Sequence, residues 1–183
     1  MRRRGFLMGV GAVTGLAACS QNQSSSLRPI SDAEAKLAAL GIELPPAPKA
    51  VANYVGYRLA GDILYIAGQG PAFNMKEARG TVGKDLTTEQ GYAAARSAAL
   101  NTLAQVRAGA GGSLNNVVQC LKLGGFVNSA DDYHDQPKVI NGASDLFVEV
   151  FGDAGRPARF AVGVNTLPFN VAVEIDSIWQ VKL

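Results

Sequence analysis

The chain has 183 residues, 48% hydrophobic and 17% charged, with a formal net charge of +2. That length and apolar share bury a core of ordinary size and exclude a disordered chain. Two cysteines exclude a disulfide scaffold, and a charge balance so close to neutral excludes a strongly basic nucleic-acid binder.

The small positive excess sits at the N-terminus. Met1-Arg2-Arg3-Arg4-Gly5-Phe6-Leu7 is a basic segment followed by an apolar stretch to Ala18. A spanning helix needs roughly 20 apolar residues, so the stretch is too short for one and has the layout of a secretory signal. Arg3-Arg4-Gly5-Phe6-Leu7 looks like a twin-arginine signal, the route for proteins that fold before crossing. Leu16-Ala17-Ala18-Cys19 looks like a lipobox, whose cysteine would become the new N-terminus and carry lipid. An ordinary Sec signal with a chance cysteine is the alternative. Residues 1–18 are thus expected to be an export signal, and the protein to lie in the periplasm or cell envelope, anchored at Cys19.

Removing the signal changes the electrostatics. Arg2, Arg3 and Arg4 precede Cys19 and no acid does, so the remaining chain holds fourteen Lys plus Arg against fifteen Asp plus Glu, a net charge of −1. No basic cluster remains that would track a phosphate backbone, so nucleic acid is not an expected partner. Gln21 to Arg28 is polar and serine-rich, and residues 19–30 read as a tether between membrane and domain. The folded domain is expected over 31–183.

Its elements follow in order. Ser31 to Leu40 predicts a short helix, with Ser31 or Asp32 as N-cap, Ala33, Leu37 and Leu40 on one face, and Gly41 at its end. Tyr54–Leu59 and Ile63–Ala67 predict two strands joined by Ala60-Gly61-Asp62, a hairpin turn. Gly68-Gln69-Gly70-Pro71 breaks the second strand, and the loop from Ala72 to Leu86, poor in apolar anchors, is expected to be exposed. Thr87 and Gln90 have capping-box spacing before a long helix whose inward stripe is Tyr92, Ala95, Ala99, Leu103 and Val106. Gly109, Gly111 and Gly112 stop it. A strand over Asn116–Val127 follows, then a helix opened by Asp135 and Pro137, with Val139, Ile140, Ala143, Phe147 and Val150 on its buried face. Strands over Arg159–Thr166 and Val171–Val181 flank a Leu167-Pro168-Phe169-Asn170 turn. The order β-β-α-β-α-β-β predicts an α+β domain with two helices on one face of a mostly antiparallel sheet.

Alternation in the last strand sets Val173, Ile175 and Trp179 against Glu174 and Asp176. If the last two strands form a hairpin at Pro168–Phe169, Glu174 lies opposite about Gly163. Arg159 is then roughly 13 Å further along at about 3.3 Å per residue, too far for an ion pair within one chain. Cys120, in an apolar run, reads as a buried and inert thiol. His134 stands among Asp131, Asp132 and Asp135, which reads as a solvated helix N-terminus rather than a metal site. No serine lies in a Gly-x-Ser-x-Gly context.

Tyr54, Gly68-Gln69-Gly70-Pro71, Gly155-Arg156-Pro157-Ala158-Arg159-Phe160, Leu167-Pro168 and Val173-Glu174-Ile175 together resemble the RidA/YjgF family of imine deaminases, also called L-PSP endoribonucleases. The resemblance covers about Pro46 to Leu183. It implies a chorismate-mutase-like fold and a homotrimer whose three sheets form a central barrel, with the sites between subunits. It implies that Arg159 holds the carboxylate of a 2-imino acid, since a guanidinium offers a bidentate fork with permanent charge. Glu174 would position or activate the attacking water, Tyr54 would close the pocket or hydrogen-bond the substrate, Gly68 would line it with its amide, and Asn141 would lie nearby. No metal or cofactor is implied.

Read on their own, these residues fit a surface or interface ion pair, a solvated carboxylate, rim packing, a strand-end glycine and a helix-face amide. The pattern also departs from the family's usual one. Ala67-Gly68-Gln69 replaces Ser-Gly-Gln, Ala161 stands where cysteine is frequent, and Ser144 where an aromatic is. The N-terminus and the loop before Thr87 are longer. The leading expectation is hydrolytic deamination of reactive 2-imino or enamine acids to keto acids and ammonia. A non-catalytic trimer binding small carboxylates is the alternative, and RNA cleavage the least favoured.

Overall fold

The computed structural model describes residues 31–183, so the signal, Cys19 and the tether lie outside the described residues. Helix α1, Ala33–Ala39, buries Ala33 and Leu37, while Leu40 turns outward, against expectation. Gly41 takes φ +66° and lets the Ile42 N–H reach back to the Leu37 carbonyl, which ends the helix. The Glu34 carboxylate ties α1 down by accepting from the Arg107 guanidinium and from the Leu114 N–H.

Strand β1, Tyr57–Ala60, pairs with β2, Ile63–Gln69, around a two-residue turn in which Gly61 takes φ +64°. Two boundaries differ from expectation. Tyr54 falls before β1, in an irregular strap, and β2 runs on through Gly68 to Gln69 across a register shift after Ile66. The following loop is anchored rather than exposed: Ala78 and Val82 are buried, and Val82 bridges Ser129 and Leu86. The local sequence looks polar because the anchors are single residues rather than a periodic stripe.

Helix α2, Thr88–Gly109, begins with the predicted capping box, Gln90 N–H to Thr87 Oγ1 at 3.2 Å and Thr87 N–H to Gln90 Oε1 at 2.9 Å. Ala95, Ala99, Leu103 and Val106 are fully buried as predicted, whereas Tyr92, expected on the same stripe, is only partly buried and donates its hydroxyl to Asp145 Oδ2 at 3.1 Å. Strand β3, Val117–Asn128, leads to helix α3, Gln136–Phe151, whose Val139, Ile140, Ala143, Phe147 and Val150 are fully buried. The two helices pack closely, because a Cβ on Gly142 of α3 would run into the Tyr92 carbonyl of α2.

Strands β4, Ala158–Val164, and β5, Val173–Val181, complete a five-stranded sheet in the order β1-β2-β5-β3-β4. This corrects the expected hairpin. Strand β5 pairs with β2 and β3, and β4 is an edge strand parallel to β3, so Gly163 faces Val127 and Glu174 faces Phe126. The helical crossover through α3 returns the chain parallel to β3, which leaves the other side of β3 for β5. Helices α2 and α3 cover one face of the sheet, with Trp179 of β5 buried against Phe147 and Phe151. Among the described residues no helix is long and apolar enough to cross a membrane.

Candidate functional site

Strand β5 alternates strictly. Val173, Ile175, Ser177, Trp179 and Val181 face the helices, and Glu174 and Asp176 face the uncovered side of the sheet. Both carboxylates sit over glycines. A Cβ on Gly68 would overlap Glu174 Oε1, and one on Gly124 would overlap Asp176 Oδ1. The neighbouring backbone thus approaches each acid as only glycine allows. Burial first, and the Asp176 charge second, push the Glu174 carboxyl above the ordinary carboxylate range. Asp176 Oδ1 is buried and makes no hydrogen bond among the described residues.

Glu174 and Gly68 form one end of a cleft of about 600 Å³. Tyr54 and Val51 line it from the strap before β1, Phe73 from the loop after β2, and Phe169 from the turn before β5. Two amides of α2 hold these segments in place. Gln105 Nε2 donates to the Pro48 carbonyl at 2.6 Å, and Asn101 Nδ2 donates to the Gly70 carbonyl at 2.9 Å. Neither amide was singled out in the sequence, although their i, i+4 spacing puts both on one helix face. Lys49 is the only cation among the described residues lining the cleft.

The rim is unusual in its backbone. Phe169 takes φ 57°, ψ 16°, and Asn170 takes φ 56°, two successive left-handed residues of which neither is glycine. Such conformations cost about 1–3 kcal/mol each. They are held by three hydrogen bonds. Gly80 N–H donates to the Asn170 carbonyl at 3.0 Å, Asn128 Nδ2 to Asn170 Oδ1 at 3.1 Å, and Arg79 Nε to the Phe169 carbonyl at 3.2 Å. The same Arg79 guanidinium lies 4.8 Å over the Phe73 ring, which meets Phe169 edge-on at 5.8 Å.

The predicted residues fall into two groups. Tyr54, Gly68 and Glu174 share the cleft. Arg159 and Asn141 lie at the other edge of the sheet. Arg159 is level with buried Leu123 and so points to the helix side, opposite to Glu174. Its Nη1 donates to Ser144 Oγ at 2.8 Å and its Nη2 to the Pro137 carbonyl at 3.3 Å. Asn141 is one helical turn before Ser144, whose hydroxyl lies 3.5 Å from the Asn141 carbonyl. Two strand spacings and three residues separate Arg159 from Glu174, roughly 14 Å along the sheet. Within one chain the two half-sites do not meet.

Cys120 is buried, and burial pushes its thiol up to about 12. Among the described residues no group of three or more His, Cys, Asp or Glu side chains is placed to hold a metal ion.

The family model "YjgF/chorismate_mutase-like, putative endoribonuclease" matches residues 34–177. The chain is 45% identical over 150 residues to Protein TCP17 of Trypanosoma cruzi, covering 81% of this chain and 93% of that one. It is similar to the crystal structure of Atu1372, a protein of unknown function from Agrobacterium tumefaciens, with 41% identity and TM-score 0.74 over 82% of this chain and 94% of that one. RidA from the Antarctic bacterium Psychrobacter sp. PAMC 21119 is similar too, with 30% identity and TM-score 0.50 over 74% of this chain and 94% of that one. With that extent of match and this sheet order, the chain belongs to the RidA/YjgF (YjgF/chorismate-mutase-like) family.

Proposed function

We propose that the protein hydrolyses reactive 2-imino or enamine acids to 2-oxo acids and ammonia, at sites formed between the copies of a homotrimer. The observation that carries this reading is Glu174 seated against the Gly68 backbone inside the cleft. A carboxyl pushed above its ordinary value binds a proton more readily, which suits a general base. Water adds to the imine carbon as Glu174 takes one of its protons and passes it to nitrogen, giving a carbinolamine. Glu174 then takes the remaining hydroxyl proton and delivers it to nitrogen as the carbon–nitrogen bond breaks, so that ammonia leaves and a carbonyl is formed. Arg159 from a neighbouring copy clamps the substrate carboxylate. We place the protein in the cell envelope, exported by residues 1–18 and anchored through lipid at Cys19.

The test is ammonia release from freshly generated 2-iminopropionate and 2-iminobutyrate by the full chain. Glu174→Gln and Arg159→Ala each abolish turnover, and mixed trimers of the two variants regain part of it, because some sites then hold one intact residue of each kind. Turnover that survives in either variant sinks the assignment.

Two observations favour a second reading. Two of the Arg159 nitrogens already donate to Ser144 and Pro137, and Ala67 supplies no hydroxyl, which suits a trimer that binds small carboxylates without converting them. Binding of 2-oxobutyrate with no turnover of either imine selects that reading.

A further inference from the structure

The cleft of the single chain, before a neighbouring copy brings Arg159 to it, is larger than a three-carbon or four-carbon imino acid requires. Its volume of about 600 Å³ is on the order of twenty waters at ~30 Å³ each, and lies in the range of pockets that take much bulkier ligands. Its polar side chains are Glu174, Gln69, Tyr54 and Lys49, with Asn101 and Gln105 of α2, whose amide nitrogens already donate to backbone carbonyls. Apart from Lys49 and Tyr54 of the strap, the rest of the wall is apolar, with Val51, Pro71, Phe73, Pro168, Phe169 and Val171.

Two of those residues are displayed in a way that ordinary surface phenylalanines are not. Phe73 and Phe169 are 54% and 63% exposed, yet neither hangs free. The Arg79 guanidinium covers one ring and holds the backbone of the other. The turn that carries Phe169 is kept in an unfavourable left-handed conformation by Gly80 and Asn128. Strain maintained by a dedicated hydrogen-bond set is a feature of binding sites, and rigid exposed aromatic rings lose little entropy when they meet a ligand.

We infer that the ligand of this cleft is a 2-imino or 2-oxo acid with a large apolar side chain, an aryl group above all, packed between Phe73, Phe169 and Val51. The α-carbon and its substituents lie at the Gly68–Glu174 end, and the side chain runs out toward the aromatic rim. This inference rests on the reading of the Glu174 end as the site of imine chemistry. A single methylene in an apolar pocket already shifts specificity by about tenfold or more, so a ring that fills the outer cleft dominates over a methyl group that leaves it to water.

The experiment pairs turnover with binding. L-Phenylalanine and L-alanine are each oxidised in situ by an L-amino acid oxidase in the presence of the full chain, and ammonia release gives kcat/KM for the two imines. Calorimetry compares phenylpyruvate with pyruvate on the same preparation. The expected result is a preference of tenfold or more for the aryl compound in both measurements. Phe169→Ala and, separately, Phe73→Ala each reduce both ratios at least fivefold, and Phe169→Leu restores most of the loss. Equal treatment of the two compounds, or ratios unmoved in both alanine variants, overturns the inference. Turnover confined to the alanine-derived imine leaves the deaminase reading intact and sinks the aryl preference. Tighter phenylpyruvate binding without turnover of either imine does the reverse. Failure to bind either 2-oxo acid, with no turnover, sinks both.

Discussion

Gly68 and Glu174 are tied together by a single contact, which makes each a test of the other. Replacing Gly68 by alanine drives a methyl group into Glu174 Oε1 and displaces the carboxylate. A shift of about 1 Å at a reacting group costs on the order of a hundredfold, so Gly68→Ala is expected to lose about that much turnover while its far-ultraviolet circular dichroism stays unchanged. Glu174 itself has a pH signature. Its folded pKa lies above the ordinary 4.5 because burial and Asp176 disfavour the charge. The protonated carboxyl is therefore the form the fold tolerates best. Its contribution to stability is complete below the ordinary value and is lost as pH rises through the raised one. Glu174→Gln is expected to melt a few degrees above the wild type at neutral pH, with the gap closing in acid, as read by thermal scans at both pH values. Turnover by the wild type rises with pH through the same raised value. Both residues were legible in the sequence through the motifs around them. Asn101 and Gln105 were not, because a polar side chain in an alanine-rich helix looks the same whether it meets water or a backbone carbonyl 31 or 57 residues distant.

At the scale of elements, the helices were readable because each carries its own start and stop. The Thr87 capping box is a local arrangement of four residues, and the sequence specifies it completely. Thr87→Ala is expected to cost about 0.5–2 kcal/mol and to lower the melting temperature by about 2–4 °C per kcal/mol in a chain of this size, with kcat/KM unchanged. Gly142→Ala attacks the packing between α2 and α3 instead. Its methyl group meets the Tyr92 carbonyl, and overpacking of this kind costs about 1–3 kcal/mol, measurable as a fall in urea midpoint. The strand pairing was harder to read. Leu167-Pro168-Phe169-Asn170 has the composition of a hairpin turn, yet it carries the chain across the end of β3 to the free side of that strand. Strand β4 gave little warning, since Ala158, Ala161 and Gly163 blunt its alternation. Which edge of β3 each strand would take depends on the α3 crossover, a long-range choice with no local marker. The anchors of the Ala72–Leu86 loop were hidden for a similar reason: Val82 is buried by its bridge to Ser129, forty-seven residues away.

Over the whole molecule, the sheet has one face covered by α2 and α3 and one face that is bare among the described residues. The bare face carries Tyr65, Phe126, Phe160, Val162 and Ile178 around the two acids, with Tyr65 47% and Val162 42% exposed. A sheet with apolar residues on both faces needs a second cover, and further copies of the chain supply it in the proposed trimer. Val162→Asp is expected to give monomers by light scattering and, because Arg159 and Glu174 would then belong to separate molecules, to lose imine turnover with them. A Val162→Asp chain that stays trimeric and active counts against sites shared between copies. Cys120 adds a consequence of another kind. Its thiol lies on β3 level with buried Trp179 and is held up to about 12 by burial, so a thiol reagent reaches it only when the sheet opens. With Cys19 lipidated or changed to serine, the chain has no other thiol, and alkylation becomes a clock on that opening. Labelling that slows as protein concentration rises times the parting of the copies; labelling indifferent to concentration times the breathing of a single sheet.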